Sequence, residues 1–197
     1  MLTLFGALWN LFLLALPTGI IFFLEKQYAE KHWRAISLLQ KLSFLLLFAF
    51  FILLFPNIPY IFVDARHILD HCSTTDFYRR CYEAPWSVPV FFTYALIALP
   101  FFLLTIRKSA ALLAQLWHPV WKYLAPPIVL GLASLGVLMG LYERLNSWDA
   151  LLAPPGVLAH ALSYFATWQK FELWAIYTVC FGAIYYSLAP FFLAAKK

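Results

Sequence analysis

An all-α fold is what this sequence predicts: a polytopic membrane helical bundle of about five transmembrane helices, with one or two interfacial helices. Three observations predict it. Only 12% of the 197 residues are charged, about half the ~25% typical of soluble domains. Hydrophobic residues make up 64% of the chain and mean hydropathy is +0.79. Apolar stretches near the roughly 20 residues needed to cross a bilayer recur five times. No soluble segment interrupts them, so residues 1–197 read as a single integral-membrane domain.

The first span covers about residues 2–24. It lacks a basic start and a small-residue cleavage site, so it reads as a retained helix and not a signal peptide. The second covers 42–63 and ends on FPNIPYIFVDARH, where two prolines interrupt the backbone ladder. Spans three, four and five fall at 87–106, 125–142 and 171–194. Two further stretches, 109–123 (SAALLAQLWHPVWKY) and 156–169 (VLAHALSYFATWQK), mix apolar, aromatic and polar residues. These are expected to lie at the membrane surface, with a sixth span as the alternative count.

Charge orients the bundle. Lys26, Lys31, Arg34, Lys41, Arg107, Lys108, Lys122, Lys196 and Lys197 fall on one side, nine of the 14 basic residues. Arg66, Arg79, Arg80, Arg144 and Lys170 fall on the other, with seven of the nine acids. The richer basic side is expected to be cytoplasmic. That puts the N-terminus outside and the C-terminus inside, as in a bacterial inner membrane. Cys72 and Cys81 then share one outer loop, where an oxidising compartment permits a disulfide worth roughly 3 kcal/mol. Two free thiols are the alternative. Cys180, in the middle of span five, reads as a small apolar packer.

Polar groups gather at the outer end. Asn57, Tyr60, Asp64 and His67 are spaced i, i+3, i+7 and i+10, so a helix carries them on one face. An asparagine against lipid is costly, so this face is expected to point into the bundle or an outward pocket. RLNSWD places Arg144, Asn146 and Asp149 at the same boundary, and Asn10 lies at similar depth in the first span. Arg144 is expected close to Asp64 or Asp149, since a guanidinium can hold a carboxylate in bidentate geometry. A purely structural reading serves the same residues. Asn10 and Asn57 then tie helices together, Asn146, Ser147 and Asp149 turn the chain, and Arg144 snorkels. Asp64, His67 and Asp149 contain metal-ligating types, but an i, i+3 pair is common by chance and no metal site is assigned. Nor do His32, His118 and His160 pair in a haem-like pattern, and the cofactor is left unknown.

WNLFLLALP, PNIPYIFVD and RLNSWD together resemble the signature segments of a bacterial integral-membrane family, domain of unknown function 1361. The resemblance covers roughly residues 5–155. It marks Trp9, Asn10, Pro17, Pro56, Asn57, Pro59, Tyr60, Asp64, Arg144, Asn146, Ser147, Trp148 and Asp149 as signature positions, with a histidine often found at His67. The Cys-containing outer loop and the 109–123 segment depart from it. The resemblance implies that the three clusters belong together and implies no activity.

Three function classes follow. The chain has no nucleophile elbow, HExxH or Walker pattern, and its 8 Trp, 11 Tyr and 20 Phe suit packing against other spans or lipid. An accessory subunit of a larger membrane complex is therefore expected first. Membrane lipids are the expected partners, with other membrane subunits possible and nucleic acid excluded by the absence of any basic stripe. The alternative is an enzyme or binding protein for a lipid or lipid-linked substrate at the outer leaflet, with Asp64 or Asp149 as base and His67 as shuttle. A transporter ranks last, because no internal repeat is visible and the polar groups lie near one surface, not at the midplane.

Overall fold

A computed structural model describes residues 4–64 and 87–193 of the chain, with side chains over residues 9–63 and 89–192. The described residues form helices joined by short turns, and five helices are long and apolar enough to cross a membrane. We number the helices α1 (Leu4–Tyr28), α2 (Leu38–Leu54), α3 (Asn57–Asp64), α4 (Ser87–Leu116), α5 (Trp121–Tyr142), α6 (Asp149–Leu152), α7 (Pro154–Ala166) and α8 (Trp168–Leu193). The span candidates are α1, α2 with α3, α4, α5 and α8.

At one end of the bundle, the loop after α1 is pinned from both sides. Ser37 caps α2 by a reciprocal box: the Gln40 N–H donates to the Ser37 hydroxyl, and the Gln40 side chain accepts from the Ser37 N–H. The Trp33 N–H donates to the Leu116 carbonyl at the end of α4 (3.1 Å). Trp33 also packs edge-on against Phe44 and Trp117, and the Tyr28 hydroxyl donates to the Gln40 carbonyl (2.9 Å).

The third span corrects the expected boundary. Residues 109–116 do not form a surface helix; they continue α4 to Leu116. The Arg107–Lys108 pair reads as a span end, but Lys108 is half-buried and partnered by a neighbouring helix. It pairs with Glu25 of α1 and lies over the Phe22 ring at 4.3 Å. A paired charge does not stop a helix from staying packed. Ser109, Ala110, Leu112, Leu113 and Leu116 are buried as a result.

Helix α5 is the most buried of the span candidates and packs against both α4 and α8. On the α8 side a glycine lies at the contact. Trp174 of α8 sits against Gly131 and donates its indole N–H to the Gly131 carbonyl (2.9 Å). After α5 the chain turns at Arg144, whose φ of 58° lies in the left-handed region. The turn brings the Leu145 N–H back to the Met139 carbonyl (3.2 Å). The surface helix expected at 156–169 is the separate helix α7. It starts on Pro154 and Pro155, whose missing N–H groups cost nothing in a first turn. It ends at the extended Thr167. Only Tyr164 of α7 is buried. Cys180 also corrects an expectation: it is exposed on α8 and is not packed in the interior.

Candidate functional site

Pro56, at the break of the second span, borders an opening in the bundle. Pro56 and Pro59 have no N–H, so the ladder breaks between α2 and α3. The Ile58 N–H bonds the Phe55 carbonyl (3.0 Å), which leaves the Leu54 carbonyl without its usual helical donor. Asn57 fills that role: its side-chain Nδ2 donates to the Leu54 carbonyl at 2.8 Å. The second amide hydrogen of Asn57 serves the Ser147 hydroxyl at 3.2 Å. The polar side chain thus repairs the proline break and ties it to the loop after α5.

Two glycines let the break approach α5. A Cβ on Gly136 would fall 2.4 Å from Pro56 Cγ, and one on Gly140 would fall 3.3 Å from Tyr60 Cε2. They form a small-xxx-small pair, GVLMG, of the kind that brings membrane helices together. Sequence reading by polarity passed over these residues, although the four-residue glycine spacing is visible in the chain.

A cavity of about 520 Å³ lies at this junction. Its apolar wall comes from Leu13 of α1, Ile52 and Leu53 of α2, and Leu132, Leu135 and Met139 of α5. Val157 and Ala161 of α7 close one flank. Its polar lining is Asn10, Asn57, Tyr60, Arg144, Asn146 and Ser147. Arg144 and Asn146 are exposed, while Asn10, Asn57, Tyr60 and Ser147 are half-buried, so the polar end opens to the surface.

Five of the eight residues expected in the polar cluster, Asn10, Asn57, Tyr60, Arg144 and Asn146, therefore border one space. Asp149 does not border it. Its carboxylate accepts the Asn146 N–H at 2.6 Å, and its own N–H donates to the Asn146 carbonyl at 3.0 Å. That turn uses the charge locally. Among the described residues no ion pair joins Arg144 to Asp149, whose carboxylate is turned onto the Asn146 N–H. Asp64 ends α3, but its side chain lies outside the described residues, as do His67, Cys72 and Cys81. Among the described residues no group of three His, Cys, Asp or Glu side chains is placed to hold a metal.

A second polar group lies beside the cavity. Glu143 receives Lys170 of α8 at 3.3 Å and His160 of α7 at 3.5 Å. Lys170 also donates to the Ser163 hydroxyl at 3.0 Å and lies over the Tyr164 ring at 5.1 Å. Burial, with the nearby Glu143 and Tyr142, pushes the Tyr164 hydroxyl up to about 12.

The three segments that carry the family resemblance meet at the cavity mouth. Trp9 of the first packs edge-on against Trp148 of the third, with ring centroids 6.5 Å apart. Asn57 of the second bonds Ser147 of the third. A family model described as "Protein of unknown function (DUF1361)" matches residues 9–186, nearly the whole chain. The chain belongs to this family. No curated protein and no solved structure matches it. The family description assigns no activity, so function rests on the cavity itself.

Proposed function

We propose that this membrane protein binds an amphiphile, a lipid or lipid-linked molecule, in the cavity between α1, α2, α3, α5 and α7. One observation carries the reading: the cavity is apolar along Leu13, Ile52, Leu53, Leu132 and Leu135 and polar at the end where Arg144 and Asn146 are exposed. Its volume lies within the ~300–1,000 Å³ range of small-molecule sites. That is enough for a head group and part of one chain. The exposed apolar side chains of α8 suit lipid as well as a protein partner, so they do not favour the accessory-subunit reading. A catalytic role for Asp64 or His67 is not needed for binding and forms no part of the proposal.

The same reading places the polar end of the cavity at the outer leaflet of a bacterial inner membrane, supported by the nine-to-five division of basic residues. A Cys72–Cys81 disulfide would then sit on the same side.

The test is lipid retention. Full-length protein, purified in mild detergent, is weighed by native mass spectrometry beside the cavity-filling variant Ala161→Trp. Wild type should carry a bound lipid mass that the variant has lost at unchanged thermal stability. Equal retention by both would remove the proposal. Single cysteines in loop 25–41 that react with an impermeant maleimide in intact cells would reverse the orientation.

A further inference from the structure

The described lining of the cavity is unbalanced in charge. Among its described lining residues Arg144 is the one charged side chain, and no Asp or Glu is present. The carboxylates nearest in sequence are committed elsewhere. Glu143 is held by His160 and Lys170, and Asp149 is turned onto the Asn146 N–H. The guanidinium is exposed and forms no ion pair among the described residues. Its backbone also occupies a left-handed position that glycine would fill without strain. Observed strain of this kind at a cavity mouth points to a chemical role for the side chain.

The neutral groups around Arg144 add donors. Asn57 spends both amide hydrogens on Leu54 and Ser147. Ser147 receives one of these, which leaves its hydroxyl hydrogen free to donate. The Asn10 and Asn146 side chains border the cavity as further amide donors. One fixed cation and several neutral donors, above an apolar wall, suit an anion carried on a chain.

We infer that the cavity recognises a net-anionic phosphate ester, with Arg144 as its cationic partner, and that the phosphate belongs to a lipid head group. This rests on the amphiphile reading above and adds the head-group chemistry. The planar fork of arginine matches a phosphate bidentately, where a lysine would offer a point charge.

The experiment uses full-length protein in mixed micelles containing phosphatidylglycerol and phosphatidylcholine of the same acyl chains, read by native mass spectrometry. Wild type should retain phosphatidylglycerol with a preference of about tenfold, the discrimination a single charge-assisted contact supplies. Arg144→Gln and Arg144→Gly should reduce that preference to near unity. The glycine variant also suits the backbone, so a folding defect cannot account for its loss. Arg144→Lys should keep part of the preference. Lys170→Gln removes a cation at the same end of the bundle but outside the cavity lining, and should keep all of it.

Equal retention of the two lipids by wild type, or full preference in Arg144→Gly, overturns the head-group inference. The amphiphile reading survives either result provided Ala161→Trp still expels lipid. If Ala161→Trp retains as much lipid as wild type, both fall. Displacement of bound phosphatidylglycerol by excess inorganic phosphate would assign the site to the free ion and overturn the lipid source.

Discussion

The Asn57 side chain joins two parts of the chain 90 positions apart: one amide hydrogen caps the Leu54 carbonyl and the other meets the Ser147 hydroxyl at 3.2 Å. This contact fastens the proline break of the second span to the loop that bears Arg144. Asn57→Ala should cost about 1–3 kcal/mol, because it strands the Leu54 carbonyl as well as losing Ser147. Ser147→Ala alone should cost less. A double-mutant cycle in detergent unfolding should give a coupling of about 0.6 kcal/mol, the mean for interhelical hydrogen bonds in membranes. Coupling of zero would mean that the loop is held without this bond.

Gly136 decides how closely α5 meets the break. A Cβ there would stand 2.4 Å from Pro56 Cγ and 2.7 Å from Pro56 Cβ, atoms of a ring that cannot rotate away. Gly136→Ala should therefore destabilise the fold by about 1–3 kcal/mol through overpacking. At Gly182, in α8, an added Cβ would meet nothing within 4 Å. Gly182→Ala should be neutral or stabilising by up to ~1 kcal/mol from helix propensity. Thermal unfolding of the two variants side by side checks the contrast, and equal effects would contradict the close approach.

Arg144 separates stability from binding. Arg144→Gly should leave stability unchanged or raise it by up to ~1 kcal/mol, since the left-handed conformation disfavours any residue with a Cβ by about that amount. Arg144→Ala keeps the strain and removes an exposed cation, so it should cost about 1 kcal/mol or less. Denaturant titration reads both. A loss of several kcal/mol in either would reveal a buried charge partner and a network instead of an open rim.

Tyr164 predicts alkaline sensitivity. Its hydroxyl is pushed up to about 12 from the ordinary tyrosine value of 10, because burial and then Glu143 disfavour the phenolate. The folded chain therefore holds this proton more tightly than the unfolded chain. Its contribution to stability is complete below pH 10 and is lost as pH rises from about 10 towards 12. Ultraviolet titration should show a late phenolate component that Tyr164→Phe removes. The same substitution should flatten the fall in stability over that range. A Tyr164 component titrating near 10 would contradict the burial.

Residue identity and order alone determined much of this protein. Hydropathy and charge are properties of a segment, so the five apolar helices could be read from them. The break at Pro56 could be read too, because proline lacks a donor in any environment. Asn10, Asn57, Tyr60, Arg144 and Asn146 stood out because polar groups at span ends need partners. Tertiary structure decided the rest. The end of the third span depended on Glu25, 83 positions from the Lys108 it neutralises. Asp149 was drawn to the Asn146 N–H and not to Arg144, a choice between two near neighbours that loop geometry makes. At the cavity, Gly136 and Gly140 admit Pro56 and Tyr60 at close range, and Ser147 reaches Asn57. Spacing along one helix shows which residues share a face. Which faces meet, and at what distance, is fixed by side-chain volume across helices, here by the missing Cβ atoms of Gly136 and Gly140.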